Sequence, residues 1–421
     1  MENFWDFNVW GSFNLIAVLL LSLLVANLLK KSFKFLQASL IPTSVLAGAV
    51  LIIVADIYKI ASGGTVMFDT AFFGGDGTAF LETITYHTLA LGFIASAFKE
   101  SGGKLTKERT SEIFNTGVTT VATYLLQGVV GMGITIIAAK FFIDEFFPAS
   151  GLLLPFGYGQ GTGQALNYGG IYEHDFGFIG GKSFGLTIAA FGFISASIGG
   201  VIHLNILKKR GIIKKAVGEE GAIHSEDIQR EGEIPMQESI DKLTIQMALI
   251  AFAYFLAYLL MHVLGNILPG MKSVIFGFNF LLGVLTATLI KVVMNFLKKK
   301  RVIKKEYTND FLMTRVSNFF FDIMVVAGIA AIRLDILEKR WGILLILGIV
   351  GLIITYVYNH YVAKTLFKKY QEEQFLAMSV CLRVLPARVL FFLEKSTGIL
   401  KLPRPTTWFT RTSLPLLSAS R

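Results

Sequence analysis

Cysteine is all but absent. Cys381 is the single one in 421 residues, which excludes an internal disulfide framework and a cysteine-rich metal site. Charge is scarce too: Asp, Glu, Lys and Arg make up 16% of the chain, where a soluble protein carries about 25%. No HExxH, GxSxG or Walker pattern stands in a context that would support it, and no spacing assembles a nucleophile–base pair. The chain is therefore read as a non-enzyme with no cofactor. The first eight residues are acidic and lack the basic region of a signal peptide, so no cleaved leader is expected.

What fills the sequence is apolar. Hydrophobic residues make up 53% and mean hydropathy is +0.61. Stretches long enough to cross a bilayer, about 20 residues each, recur throughout. They cover residues 11–29, 36–57, 83–98, 113–143 and 183–207, then 243–264, 273–296, 316–332 and 341–367. Glycine, at 41 residues, suits helices that approach closely in lipid. The net charge of +10 does not indicate a nucleic-acid partner, because the Lys and Arg sit at the ends of apolar stretches, where membrane orientation uses them.

Those ends alternate. Lys30, Lys31 and Lys34 follow the first span; Lys99, Lys104, Lys107 and Arg109 the third; Lys208, Lys209, Arg210, Lys214 and Lys215 the fifth. Lys298, Lys299, Lys300, Arg301, Lys304 and Lys305 follow the seventh, and Lys364, Lys368 and Lys369 close the ninth. The positive-inside rule makes this side cytoplasmic and places the N-terminus outside. Arg333, Lys339 and Arg340 are exceptions on the outer side. Five spans in the first half oblige the second half to enter from the opposite face, the signature of an inverted repeat in secondary transporters. The expected fold class is an all-α polytopic membrane protein with two inverted-topology repeats of five transmembrane helices. Each repeat carries a re-entrant hairpin, and the second is incomplete. The expected divisions are residues 1–207, a charged cytoplasmic linker with little fixed structure at 208–242, a second repeat at 243–378, and an anomalous tail at 379–421.

Residues 148–170 carry the chemistry. Pro155, Gly157, Gly159, Gly161 and Gly163 interrupt helix formation through a missing donor and backbone entropy. Non-helical backbone at membrane depth is tolerated only where it is buried in protein or lines a cavity. A re-entrant hairpin is therefore expected, with its tip at residues 157–164. Gly159, Gly161 and Gly163 would present backbone, while Gln160, Thr162, Gln164 and Asn167 would supply oxygens or amides to an anion or a cation. No Lys follows the glycines, which argues against a nucleotide phosphate loop.

In the eighth span, Asn318 and Asp322 are four apart and share a helix face. An ionisable group inside a membrane marks an ion site by default, so Asp322 is an expected cation ligand, Na⁺ in this reading, with the Thr162 hydroxyl as a further one; the other reading of Asp322 is a contact with Arg315 or Arg333. His87 is read as a hydrogen-bonded packing residue, and Gln127 as either packing or ligand. Gly192, Ala196 and Gly200 recur every four residues, which suits close helix packing.

These residues resemble the sodium/glutamate symporter family. The resemblance is carried by Ile41, Pro42, Thr43, Ser44, Val45, Leu46, Ala47 and Gly48 in the second span and by Gly159, Gln160, Gly161, Thr162 and Gly163 in the hairpin. The small-residue stretch 191–203, with Ser317 and Asn318 opening the eighth span, also fits, and the likeness covers about residues 10–378. It implies a Na⁺-coupled carrier of glutamate or a related carboxylate in the inner cell membrane, working by alternating access, with a homodimer as one expected assembly. A membrane-embedded enzyme, a channel and a transport-inactive truncated member are the alternatives.

From residue 379 the composition breaks. Residues 379–421 hold seven Lys and Arg against one acid, Glu394, and four of the nine prolines but one of the 41 glycines. The repeat calls for a second glycine-rich hairpin at this place. Residues 379–393 can be encoded so that the shifted frame reads Gly-Met-Leu-Thr-Gly-Thr-Ala-Ser-Thr-Gly-Ile-Ile-Leu-Leu. That string restores a Gly-Thr followed by small residues, so a frameshifted ending is expected.

Overall fold

The computed structural model describes residues 3–39, 41–99, 107–144, 146–210, 232–236, 239–368 and 371–380. Among these the chain is helical, with no strand beyond an isolated bridge between Glu233 and Glu306. The long helices are α1 (Phe7–Ser32), α2 (Thr43–Ala61), α3 (Gly77–Phe98), α4 (Lys107–Phe141), α5 (Leu153–Phe176) and α6 (Gly181–Lys209). Then come α7 (Lys242–Ile267), α8 (Asn279–Lys299), α9 (Asp310–Ala330), α10 (Trp341–Leu366) and a shorter α11 (Gln371–Val380). Every predicted span is matched by a helix.

Eight of these helices, all but α3, α5 and α11, are long and apolar enough to cross a membrane. The polar run Glu82, Thr83, Thr85, Tyr86, His87 and Thr88 dilutes α3; Thr85 is fully buried in the protein. The apolar side chains on the outward faces of the others stay exposed: Leu24, Leu28, Val129, Ile267 and Tyr361 are each more than 60% accessible. An apolar surface of that extent needs a non-aqueous cover, and helices satisfy their backbone internally, as lipid requires. The chain is a multi-pass membrane protein.

Helix starts follow local chemistry. The second span starts at Thr43 rather than at residue 36. Pro42 holds the residue before it out of the helical region, so a short helix, Lys34–Ala38, stands apart from α2. The seventh span likewise splits into Lys272–Gly277 and α8. The linker expectation needs correction at its end. Residues 232–236 are docked: Ile234 N donates to Glu306 O and Glu306 N to Gly232 O, both at 3.0 Å. Glu233 is buried and accepts from Lys242 Nζ and Asn309 Nδ2, each at 2.7 Å. Two buried donors on one carboxylate fix the segment, a pairing that the mixed charges of the linker do not announce. Residues 211–231 and the tail from 381 onward, Cys381 included, lie outside the described residues.

The described residues form two compact units. The first draws on Met1–Tyr86, Ser111–Lys215 and the stretch beginning at Asp322; the second on His87–Thr110, the segment before α7, and everything from there to Phe321. The second unit has a continuous apolar core in which Ile94 and Phe98 of α3, Ile250 and Ala253 of α7, Ala287 of α8, and Met313 and Val316 of α9 pack together. The first unit contains the broken helix α5.

Candidate functional site

α5 is interrupted. Gly161 has φ 77° and ψ −168°, a region open essentially only to glycine. The break reverses the chain. Phe156 and Tyr168 stack with centroids 3.7 Å apart and planes 11° apart, whereas twelve residues of straight helix would separate them by about 18 Å. Phe147 meets Tyr172 at 5.2 Å, closing the base of the same fold-back. Residues 148–176 therefore form a two-legged hairpin with Gly161 at the turn, the position that the glycine run predicts.

Each leg is held from outside. On the entering leg, Thr135 Oγ1 donates to Pro148 O at 2.6 Å, and Tyr124 OH, midway along α4, donates to Gly159 O at 2.8 Å. Tyr158 OH donates to Gly348 O of α10 and lies 3.0 Å from Ser195 Oγ of α6. Past the turn, Thr162 is fully buried, and its Oγ1 reaches Met324 O at a long 3.4 Å. It packs against Gly328 so closely that a Cβ there would lie 2.7 Å from Thr162 Cβ. Gly159, Gly161, Gly163 and Gln164 are buried and Gln160 half-buried.

The predicted residues of α9 fare differently. Asn318 is half-buried and Asp322 stands on an exposed face, with Asn318 in the second unit and Asp322 in the first, the unit that holds the hairpin. Ser317 is buried and donates to Gly92 O at 2.9 Å. His87 Nδ1 sits 2.7 Å from Tyr254 OH, in keeping with a hydrogen-bonded packing role.

Between α4 and α10 runs a buried polar ladder. Gln127 Nε2 donates to Thr355 Oγ1 at 2.8 Å, and Thr123 Oγ1 to Asn359 Oδ1 at 3.1 Å. All four residues are at most 5% exposed, and Gln127 Oε1 has no partner among the described residues. Sequence reasoning missed Tyr124, Tyr158, Thr355 and Asn359. The available signal was the one used for Asn318 and Asp322, polar residues four apart in an otherwise apolar span. Gly192 and Ala196, read as packing residues, also line a small cavity with Tyr158, Ser195, Thr355 and Tyr356.

Of the basic exceptions near α10, Arg333 is paired within the first unit, as are Lys59 and Lys182. Asp335 pairs with Lys59 at 2.9 Å and Arg333 at 3.1 Å, and Glu82 pairs with Lys182 at 2.7 Å. The Asp335 carboxylate beside it holds the Arg333 guanidinium above its ordinary value. The Arg340 guanidinium caps the Phe178 ring at 4.7 Å. The Asp335 carboxylate lowers the charge that Arg333 would set against the positive-inside rule.

Fold and site together define an all-helical, multi-pass membrane protein with a helix broken at a buried polar hairpin. No protein-family model, curated protein or solved structure matches the chain.

Proposed function

We propose that this protein is a Na⁺-coupled secondary transporter for glutamate or a related small carboxylate, working by alternating access in the inner cell membrane with its N-terminus outside. The observation that carries the reading is the fold-back at Gly161 within a bundle of membrane-spanning helices. Broken backbone among spanning helices is the usual transporter solution for holding an ion and an anion together. The buried hydroxyl of Thr162 and amide of Gln164 supply polar groups next to the break, and Asp322 supplies a carboxylate. Na⁺ binding would offset that charge, and the membrane potential would add about 2.3 kcal/mol per net charge per 100 mV. In this reading residues 148–176 form a re-entrant hairpin in the first of two inverted repeats. The motif resemblance supports the substrate class.

The composition of residues 379–421 favours one variant of this reading, a chain whose ending is read in a shifted frame and which transports poorly. Sequencing the gene decides that point: an early stop in the other frame, or no apolar span downstream, ends the idea. The transport reading itself is tested in proteoliposomes with this chain and a frame-restored version, using a panel of labelled carboxylates. Saturable uptake that requires Na⁺ is expected from the restored chain. Flux in neither, or flux that does not saturate, rejects the carrier.

A further inference from the structure

Buried polar atoms in native proteins have partners, and an orphan marks a place where a water or an ion belongs. Gln127 Oε1 is such an orphan among the described residues. Its side chain is fully buried, near the middle of the apolar stretch Thr110–Phe141, where an unpaired amide oxygen costs about 1–3 kcal/mol. Its own NH₂ is engaged by Thr355 Oγ1, whose hydrogen goes to Gly351 O at 2.7 Å. One turn away, Asn359 Oδ1 accepts from Thr123 Oγ1 at 3.1 Å, but the single hydrogen of that hydroxyl is also claimed by Thr119 O at 2.8 Å. Carbonyl and hydroxyl oxygens therefore outnumber the hydrogens directed at them. Thr355 also forms part of the wall of the cavity that Tyr158 and Ser195 border, and one turn of α4 from Gln127 the Tyr124 hydroxyl anchors the hairpin backbone.

We infer that Gln127 is the centre of a monovalent-cation site between α4 and α10, beside the hairpin and separate from Thr162 and Asp322. Neutral oxygens suit a hard monovalent cation, and a cation needs no hydrogen from the site, only acceptors. The inference rests on the sodium-coupled reading, under which the ion is Na⁺. A cation held here would also stiffen the contact between α4 and α10, the two helices that bond to the entering leg through Tyr124 and Gly348.

The test is thermal unfolding of the full chain in detergent, with NaCl titrated against choline chloride at constant ionic strength, so transport competence is not needed. A ligand that binds only the folded form raises Tm with its concentration. The wild-type chain should show a saturable Na⁺-dependent rise, and Gln127→Leu should lose it. Gln127→Glu keeps an oxygen at the same place and adds charge, so its half-maximal Na⁺ concentration should fall. No Na⁺ response in the wild type overturns this inference together with sodium coupling. A response that survives Gln127→Leu overturns the inference alone. If Gln127→Leu does not fold, an unchanged half-maximal Na⁺ concentration in Gln127→Glu overturns it.

Discussion

Replacing Gly161 with alanine isolates the backbone of the hairpin turn. A Cβ built at Gly161 would meet only Phe193 Cζ, at 3.6 Å, an ordinary van der Waals contact, so the substitution meets no steric wall. What remains is the torsional cost of holding an L-residue at φ 77°, ψ −168°, about 1–3 kcal/mol. At 1.4 kcal/mol per tenfold, that should populate the opened turn roughly 5- to 150-fold more. The bundle outside the hairpin is untouched, so the effect should be local. Hydrogen exchange by mass spectrometry on detergent-solubilised protein would read it, with amides of residues 157–164 exchanging faster by that factor and those of α1 and α2 unchanged. Gly117→Ala is the control. Gly117 lies in α4 with nothing within 4 Å of its Cβ position, and alanine should favour the helix there by about 0.5–1 kcal/mol. If Gly161→Ala leaves exchange across residues 157–164 at the wild-type rate, the turn is not held in a glycine-only conformation and the account of the break is wrong.

Thr162→Val keeps the shape against Gly328 and removes only a hydroxyl whose 3.4 Å bond to Met324 O is long; stability should change by less than about 1 kcal/mol. Na⁺-dependent uptake by a frame-restored chain should fall, and normal uptake with unchanged Na⁺ dependence would remove the hydroxyl from the site. Asp322→Asn should weaken apparent Na⁺ affinity more than substrate affinity at saturating Na⁺; an unchanged Na⁺ titration would leave Asp322 a purely structural role. Glu233→Gln strips the fully buried Lys242 ammonium of its counter-charge, a loss of about 3–5 kcal/mol for a broken buried pair. Limited proteolysis should then cut near residues 232–236 faster than in the wild-type chain, and equal cutting would show that the docked segment does not depend on the ion pair.

Much of this was legible without coordinates. The apolar stretches located the eight helices long and apolar enough to span, and counted α3 as a ninth, because length and hydropathy are local properties of the chain, and lipid leaves a spanning segment little choice but a helix. Gly157 to Gly163 marked the turn because glycine backbone freedom is written residue by residue, and Pro42 could have corrected the start of α2 by the same local logic. Partners are another matter. That Phe156 stacks on Tyr168, that Gln127 faces Thr355 across two helices, and that Glu233 gathers Lys242 and Asn309 depend on chain segments up to 228 residues apart. No periodicity encodes them. The sequence made Gln127 and Asp322 look alike, two polar residues in apolar spans. Tertiary packing separated them, burying one with an unanswered oxygen and leaving the other on an exposed helix face, because burial depends on what the rest of the chain brings alongside.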